Sequence, residues 1–479
     1  MVTGTFFWHD YETFGVVPGR DRPAQFAGIR TDFALNEVAA PVVHYCQPAS
    51  DCLPDPDACL LTGILPQTCL ERGLPEHAFA AAIESELGLP GTTGVGYNSL
   101  RFDDEVTRHL FWRNLIDPYA REWQNECSRW DLMDVVRCSY ALRPEGIRWP
   151  KHDDGRVAFK LAQLTAANGI AHESAHDALS DVRATLALAR LVKTKNPKLF
   201  DFCLKLRKKD AVLAEVGPQG ARPFLHVSGM YPSERGCLAV VWPLGPHPVN
   251  KNELIVWDLA SDPSELFALD AQTVRLRMFT KTDDLPENVE RLPIKTIHIN
   301  KSPVVIGQLK TLSAQTALRW GLDMELALRH ASILEQHGPW PRAFWANVFT
   351  RPTPEPARDV DQDLYSGFIG NADRRTLSRL RSLTPDALAK QRVGFEDPRL
   401  EELLFRYRAR NFFDSLTHAE RVRWEQHCSQ RLHDGVGGGL KLGEFFARID
   451  ELSATADEHA CAVLAALRDY AKQITPPRE

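Results

Sequence analysis

The stretch Thr5-Phe6-Phe7-Trp8-His9-Asp10-Tyr11-Glu12-Thr13 places an apolar run directly before two acidic residues. We interpret Thr5 to His9 as a short strand that delivers Asp10 and Glu12 at or near its end. Because side chains alternate across a strand, the two carboxylates leave from the same face. They repel each other unless a cation lies between them, and Mg²⁺ prefers such oxygen ligands. The stretch therefore predicts a metal site.

Two further blocks carry residues that fit such a site. They are Asn98-Ser99-Leu100-Arg101-Phe102-Asp103-Asp104 and His176-Asp177-Ala178-Leu179-Ser180-Asp181. The histidine is a candidate base for an activated water, because an imidazole ordinarily exchanges its proton near neutral pH. Together the three blocks indicate a two-metal nuclease.

Each block also has an ordinary structural explanation. Asp-x-Glu is common at exposed strand ends, and Asp103 and Asp104 open a predicted helix, where carboxylates stabilise the dipole. Ser174 and Asp177 resemble a capping box, and a lone His176 is more often a structural residue than a base. The combination of the blocks, rather than any one of them, favours a site.

Length and composition limit the class of protein. A chain of 479 residues predicts roughly two to four domains. No apolar run approaches the roughly 18 residues that span a bilayer, and the N-terminus does not resemble a signal peptide. We therefore expect a cytoplasmic protein with no membrane partner. The ten cysteines include no Cys-x-x-Cys pair, so reduced thiols are expected.

Charge gives no clear answer about nucleic acid. The formal net charge of −6 argues against it. The stretch 190–209 nevertheless carries eight basic residues against the single acidic Asp201. Such a run is usually a solvated helix face, and metal-binding carboxylates also contribute to the negative sum.

Patterning divides the chain into three regions, 1–195, 196–350 and 351–479. The first alternates apolar runs with helical stretches and predicts an α/β domain. Its expected strands are 25–30, 42–45 and 94–97, and its expected helices are 76–87, about 103–113 and about 177–193. The second has β-rich runs at 224–227, 237–242 and 254–257, typical of a small barrel or sandwich. The third is mostly helical, with a proline-rich start at 352–356 and a glycine break at 436–439.

The three blocks resemble the DEDDh group of 3′→5′ exonucleases. Seven positions match its motifs in order: Asp10 and Glu12, then Asn98, Phe102 and Asp103, then His176 and Asp181. The pattern selects Asp103 over Asp104 and Asp181 over Asp177. Positions five apart lie about 140° apart on a helix, so His176 must lie in the loop before the helix that holds Asp181.

The resemblance extends along nearly the whole chain to the bacterial exonuclease I family. It is carried by residues 9–15, 21–27, 140–146, His226-Val227-Ser228-Gly229-Met230 and Tyr407-Arg408-Ala409-Arg410-Asn411-Phe412. The resemblance implies a ribonuclease-H-like α/β exonuclease domain with a mixed sheet flanked by helices. An SH3-like β-barrel domain and a mostly helical C-terminal domain would follow and form a clamp around single-stranded DNA. The expected enzyme is a processive 3′→5′ exonuclease acting in DNA repair and recombination.

The resemblance also implies the roles of individual residues. Asp10, Glu12 and Asp181 would hold one Mg²⁺, and Asp10 would share a second ion that Asp103 supports, with Mn²⁺ as a substitute. His176 would take the proton of the attacking water and release a 5′-mononucleotide. Glu12 would also accept a hydrogen bond from the terminal 3′-OH and so favour ends over internal bonds.

Substrate contacts are expected from cations and stacking rings within or between the blocks. They are Arg108, Tyr119, Trp123, Arg137 and Lys160. The two rings could instead belong to the core, and Arg137 could pair with a helix acid. Thr13 and Phe14 are expected near the terminal nucleotide, and loops 250–252 and 298–301 could meet the incoming strand.

Partners and alternatives follow from the same resemblance. The family docks on the acidic C-terminal tail of single-stranded DNA-binding protein, and Arg143 and Arg222 are candidates for the basic surface. We expect a monomer.

Two alternative functions remain open. One is an RNA-trimming DEDDh enzyme, whose small members lack the large C-terminal region. The other is a non-catalytic DNA-binding protein, which loss of a catalytic residue would favour.

Overall fold

A computed structural model describes residues 4–172, 176–217, 222–350 and 359–475. The chain divides into two compact units. The first comprises residues 1–128, 172–183 and 355–479, and the second comprises 129–171 and 184–354. In the described ranges, no helix is both long and apolar enough to cross a bilayer.

A mixed sheet carries the candidate catalytic strand. Its strands are β1 (Thr5–Thr13), β2 (Pro23–Thr31), β3 (Val42–Tyr45), β4 (Thr92–Gly96) and β5 (Ser128–Asp131), in the order β3-β2-β1-β4-β5. β1 pairs antiparallel with β2 and parallel with β4. β1 is longer than expected and contains both Asp10 and Glu12, because these residues continue the ladder opposite Ala27 and Gln25.

Helices cover this sheet and complete the first unit. They are α1 (Pro56–Thr62), α2 (Pro66–Arg72), α3 (Glu76–Leu87) and α4 (Asp103–Arg113), then in the C-terminal region α14 (Asn371–Arg381), α15 (Pro385–Ala389), α16 (Arg399–Asn411), α17 (His418–Ser429), α18 (Leu442–Ser453) and α19 (Glu458–Ile474). Phe7 and Phe26 of the sheet pack with Phe79 of α3 and Leu110 of α4 in one buried core. The prediction of a helix at 76–87 is confirmed at both ends.

The C-terminal helices pack on the N-terminal region through a second core. Phe14 and Leu53 are buried there with Phe445 of α18 and Leu464 of α19. Beside this core lies a buried group of charges, the ion cluster, which consists of Arg22, Asp51, Asp361, Arg410 and Arg431. Its contacts include Arg22 Nη2 to Asp361 Oδ2 at 3.2 Å and Arg410 Nη2 to Asp51 Oδ2 at 2.8 Å.

The second unit contains an antiparallel sheet, as expected for the β-rich region. Its strands are β6 (Phe224–Val227), β7 (Leu238–Pro246), β8 (Glu253–Asp258), β9 (Ile294–His298) and β10 (Val304–Ile306), in the order β10-β6-β7-β8-β9. Its helices are α5 (Leu132–Leu142), α6 (Leu161–Ala167), α8 (Pro197–Lys205), α9 (Lys209–Val216), α10 (Ala271–Phe279), α11 (Ala314–Arg319), α12 (Met324–His337) and α13 (Arg342–Val348). The helix α7 (Ala178–Lys195) begins in the first unit and continues into the second. The proline-rich segment 352–356 and Ser174 lie outside the described residues.

Candidate active site

Asp10 and Glu12 project from one face of β1, as the alternation of a strand requires. Burial, followed by the charges of Asp103 and Glu12, holds the pKa of Asp10 well above its usual range. Burial and the charges of Asp181 and Asp103 raise the pKa of Glu12 from 4.5 to about 8. The carboxylates therefore repel one another, and a positive charge among them would favour their joint ionisation at neutral pH.

The start of α4 places Asp103 beside β1. The backbone N–H of Tyr11, the residue between Asp10 and Glu12, donates a hydrogen bond to Asp103 Oδ1 at 3.1 Å. This bond holds the Asp103 carboxylate against β1. The Thr107 hydroxyl lies 2.8 Å from the carbonyl oxygen of Asp103 and 3.0 Å from the Tyr11 hydroxyl. This contact ties the first turn of α4 to the strand.

Asp104 has a different environment. Its Oδ1 lies 2.5 Å from Nη2 of Arg121, and both side chains are buried. Asp104 is thus held by a structural ion pair. The structure places Asp103, and not Asp104, among the carboxylates of β1.

His176 lies in the loop before α7, with a φ of 69°, and Asp181 lies in the first turn of that helix. The ligand atoms of Glu12, His176 and Asp181 all lie within 4.8 Å of one another. Asp10 and Asp103 are not in this trio. Asp177 caps the helix instead, because its Oδ1 accepts a hydrogen bond from the Ser180 N–H at 3.0 Å.

A second histidine, which the sequence analysis did not single out, also contacts this site. Nε2 of His172 lies within hydrogen-bond reach of Oδ1 of Asp181. The His172 side chain is only 6% exposed. In the sequence, His172 is marked only by its position four residues before His176. The motif contains a single histidine and therefore does not indicate a role for a second one.

The expected substrate residues have varied environments within the first unit. The Trp123 side chain is 64% exposed, whereas Tyr119 is half-buried. Arg108 is buried and engaged by Glu122, with its Nε 2.7 Å from Oε1 of that residue. Thr13 is buried, and Phe14 is buried in the core with the C-terminal helices.

The remaining two expected substrate residues belong to the second unit. Arg137 pairs with Asp134 one turn earlier on α5, with Nη1 2.7 Å from Oδ1. Its guanidinium also lies over the ring of Phe159, 5.8 Å from the centroid. Lys160 is exposed and directly precedes α6. The alternative in which Arg137 pairs with a helix acid is therefore realised in this structure.

Comparison with known proteins identifies the family. The family models for an exonuclease, for the exonuclease I SH3-like domain and for the exonuclease I C-terminal domain match residues 7–189, 207–351 and 358–474. Exodeoxyribonuclease I of Escherichia coli K12 is 46% identical over 477 residues, which cover 98% of each chain. The chain belongs to the exodeoxyribonuclease I family. It is an exonuclease with an α/β exonuclease domain, an SH3-like domain and a helical C-terminal domain.

Solved exonuclease I structures agree with this assignment over almost all of the chain. The enzyme from Methylocaldum szegediense has a TM-score of 0.93 and 48% identity, covering 98% of this chain and 100% of that one. E. coli exonuclease I with a dA16 oligonucleotide has a TM-score of 0.93 and 45% identity, with the same coverage. An SSB/exonuclease I structure in complex with the inhibitor CFAM has a TM-score of 0.90 and 43% identity, again covering 98% and 100%.

Proposed function

We propose that this exodeoxyribonuclease I family member is a Mg²⁺-dependent 3′→5′ exonuclease that degrades single-stranded DNA to 5′-mononucleotides. The observation that carries the proposal is the approach of Glu12, His176 and Asp181, whose ligand atoms lie within 4.8 Å of one another. The E. coli relative with bound dA16 supports the choice of single-stranded DNA as substrate.

The donor set fits divalent cations that prefer oxygen ligands. Burial and the neighbouring carboxylates raise the pKa values of Asp10 and Glu12, and a cation bound among them would favour their ionised forms. Asp10, Glu12 and Asp181 would hold one Mg²⁺, and Asp10 with Asp103 would hold a second, with Mn²⁺ as a substitute. Two bound cations would stabilise the attacking and leaving oxygens of an in-line displacement.

Proton transfer and recognition of the 3′ end are assigned to protein side chains. His176 is exposed beside Glu12 and Asp181, so its imidazole can accept the proton of the attacking water. Glu12 accepts a hydrogen bond from the terminal 3′-OH, which restricts cleavage to a free 3′ end. Thr13 and Phe14 follow Glu12 in the chain and would lie near the terminal nucleotide.

The strand upstream of the 3′ end is held by cations and rings. In the first unit the exposed indole of Trp123 is available for stacking on a base. Tyr119 and Arg108, which precede Trp123 in the sequence, are the other proposed DNA contacts of this unit. In the second unit Lys160 and Arg137 supply positive charge. We assign the exonuclease, SH3-like and C-terminal domains to residues 1–195, 196–350 and 351–479, and propose a monomeric, processive enzyme of cytoplasmic DNA repair and recombination.

The test supplies 5′-labelled single-stranded DNA, duplex DNA and RNA of the same sequence with Mg²⁺. Shortening of the single-stranded DNA from its 3′ end, with 5′-mononucleotides as product, is expected. Asp181→Ala should abolish this activity, and unchanged degradation by that variant would contradict the mechanism. Preferential degradation of RNA would instead support the exoribonuclease alternative, and binding without degradation would support the non-catalytic one.

We also propose a docking pocket for the acidic C-terminal tail of single-stranded DNA-binding protein, in line with the SSB/exonuclease I structure. A cavity of 420 Å³ in the second unit has Leu142, Phe202 and Ile306 in its lining. The basic side chains of Arg143, Lys195 and Lys198 belong to the same lining. The basic side chains of this cavity complement the charge of an acidic peptide.

Arg222, the other candidate for this surface, is engaged elsewhere. Its Nη2 donates to the carbonyl oxygens of Ala214 and Glu215 at the end of α9. Arg143→Glu should therefore weaken binding of a tail peptide in a fluorescence anisotropy assay, while degradation of naked single-stranded DNA is unchanged. Arg156→Glu, which alters a side chain paired with Asp154, is the matched control. Equal peptide binding by both variants would exclude the pocket.

A further inference from the structure

His172 and His176 lie four residues apart but occupy different environments. His176 is exposed and belongs to the trio with Glu12 and Asp181. His172 is almost completely enclosed, and its Nε2 is directed at Oδ1 of Asp181. A base must reach the attacking water, so the enclosed histidine is poorly placed for that task.

The contact occupies one of the two oxygens of Asp181. A carboxylate has two oxygens and can accept a hydrogen bond on one while the other faces a cation. The Asp181 side chain is 19% exposed, and one of its oxygens lies within 4.8 Å of the ligand atoms of Glu12 and His176. Asp103 is held in a comparable way, since its Oδ1 accepts a hydrogen bond from the Tyr11 N–H.

We propose that His172 is a positioning residue that orients the carboxylate of Asp181 for cation binding. The inference rests on the proposed function, because it assigns Asp181 to the metal site. Residues that hydrogen-bond to metal ligands fix their orientation, and their loss typically weakens metal affinity or activity by about 10–100-fold. His172 would thus act through Asp181 and would contact neither the substrate nor the reacting water.

The first experiment measures cation binding by the full chain without DNA. The dissociation constant for Mn²⁺ is determined by titration calorimetry and by electron paramagnetic resonance of the free ion. We expect His172→Ala to weaken binding by about 10–100-fold. His172→Gln, which keeps an N–H donor on a side chain of similar reach, should recover most of the affinity. His77→Ala is the matched control, because His77 is a half-buried histidine that contacts Asn411 outside the site.

The second experiment separates positioning from catalysis. We measure kcat as a function of Mg²⁺ concentration with saturating single-stranded DNA. The loss of activity in His172→Ala should be recovered at high Mg²⁺, whereas the loss in His176→Ala should persist at every concentration. A low kcat of His172→Ala at saturating Mg²⁺ would overturn the proposal, because it would place His172 in the chemical step.

The outcomes also separate this inference from the proposed function. If the wild-type chain binds no divalent cation, or if Asp181→Asn binds it unchanged, the proposed metal site is wrong. If the wild type binds the cation, Asp181→Asn does not, and folded His172→Ala binds it as tightly as the wild type, only the role of His172 is wrong. Circular dichroism and the thermal midpoint of each variant establish that it is folded.

Discussion

The carboxylate of Asp104 forms a buried ion pair with the guanidinium of Arg121, with 2.5 Å between Oδ1 and Nη2. The preceding residue, Asp103, accepts a hydrogen bond from the N–H of Tyr11, between Asp10 and Glu12 on β1. Two adjacent carboxylates at the start of one helix therefore have separate tasks. One holds the loop that contains Arg121, and the other is assigned to the active site.

Substitution of Asp104 should lower the stability of the protein, whereas substitution of Asp103 should lower its activity. Asp104→Asn leaves Arg121 buried without its counter-charge and should lower the free energy of unfolding by about 3–5 kcal/mol. Asp103→Asn keeps an acceptor for the Tyr11 N–H and removes a charge that raises the pKa of Asp10. It should lower kcat roughly 100-fold or more, since cation catalysis is worth several kcal/mol, without lowering stability.

Urea unfolding and steady-state kinetics on the two variants provide the measurement. The folded fraction of Asp104→Asn should retain its activity when assayed at a low temperature. Strong loss of kcat in stable Asp104→Asn would contradict the division of roles between the two carboxylates.

Stabilisation by Mg²⁺ should increase with pH. The pKa of Glu12 is raised from 4.5 to about 8, chiefly by burial and then by Asp181 and Asp103. A raised carboxyl pKa means that its contribution to the stability of the metal-free protein is present below about 4.5 and is lost as the pH rises through about 8. Above a pH of about 8 the ionised Glu12 repels Asp181 and Asp103, and a bound cation removes this repulsion.

The thermal midpoint should therefore rise more on Mg²⁺ addition at a pH of about 9 than at about 6. Differential scanning fluorimetry with and without Mg²⁺ measures the difference, with a chelator in the metal-free samples. In Glu12→Gln the increment should be smaller and nearly independent of pH. An equal increment at both pH values in the wild type would argue against an ionising Glu12 in the metal site.

Acid should weaken the ion cluster of the first unit. Burial alone would raise the pKa of Asp361, but Arg410 and Arg22 hold it well below its usual range. A lowered carboxyl pKa gives stability that is present above the unfolded value of about 4 and is lost as the pH falls through the folded value. Asp361→Asn should cost about 3–5 kcal/mol near neutral pH, because the arginines around it lose a buried charged partner.

The expected loss is measured by urea unfolding across the acidic range, where the variant should depend less on pH than the wild type. Asp450→Asn is the matched control, since Asp450 is 70% exposed in its pair with Arg468. A surface pair of this kind is worth at most about 1 kcal/mol. Similar losses of stability in the two variants would show that Asp361 contributes no more within the ion cluster than a carboxylate in a surface pair.

The loop between β1 and β2 should not tolerate a side chain at position 15. A Cβ on Gly15 would lie 2.2 Å from Oδ2 of Asp21, the atom that accepts a hydrogen bond from the Val17 N–H at 2.8 Å. Gly15→Ala must displace Asp21 and with it the chain beside Thr13. We expect a loss of about 1–3 kcal/mol in stability and a raised KM for single-stranded DNA.

Gly394→Ala is the control for this substitution, because no atom lies within 4 Å of a Cβ built there. It should leave both stability and KM close to those of the wild type. Unfolding midpoints and initial rates over a range of DNA concentrations decide the outcome. If KM is unchanged in a destabilised Gly15→Ala, the loop has no part in substrate binding.

The sequence predicted local features well. Helix α3 was predicted from Glu76 to Leu87, because an alanine-rich stretch ends at a glycine. The loop position of His176 was predicted from the angular separation of helical positions and is confirmed. In these cases one short segment contains all the information that decides its conformation.

Long-range contacts were not predictable in the same way. The end of β1 was placed too early, because the pairing of Glu12 with Gln25 depends on a second strand. The contact of His172 with Asp181 depends on how a loop folds back on a helix. The ion cluster joins Arg22 to Asp361 of the C-terminal region, and no periodic pattern indicates charges that meet only after folding.

The ion cluster also has a consequence for how the enzyme is made. Arg22 and Asp361 are 339 positions apart along the chain. A ribosome that adds about 5–20 residues per second needs roughly 17–70 s to synthesise the intervening segment. During that time the arginine beside the catalytic strand has no Asp361 to neutralise it. Because Asp361, Arg410 and Arg431 all belong to the C-terminal region, the ion cluster can form only near the end of translation.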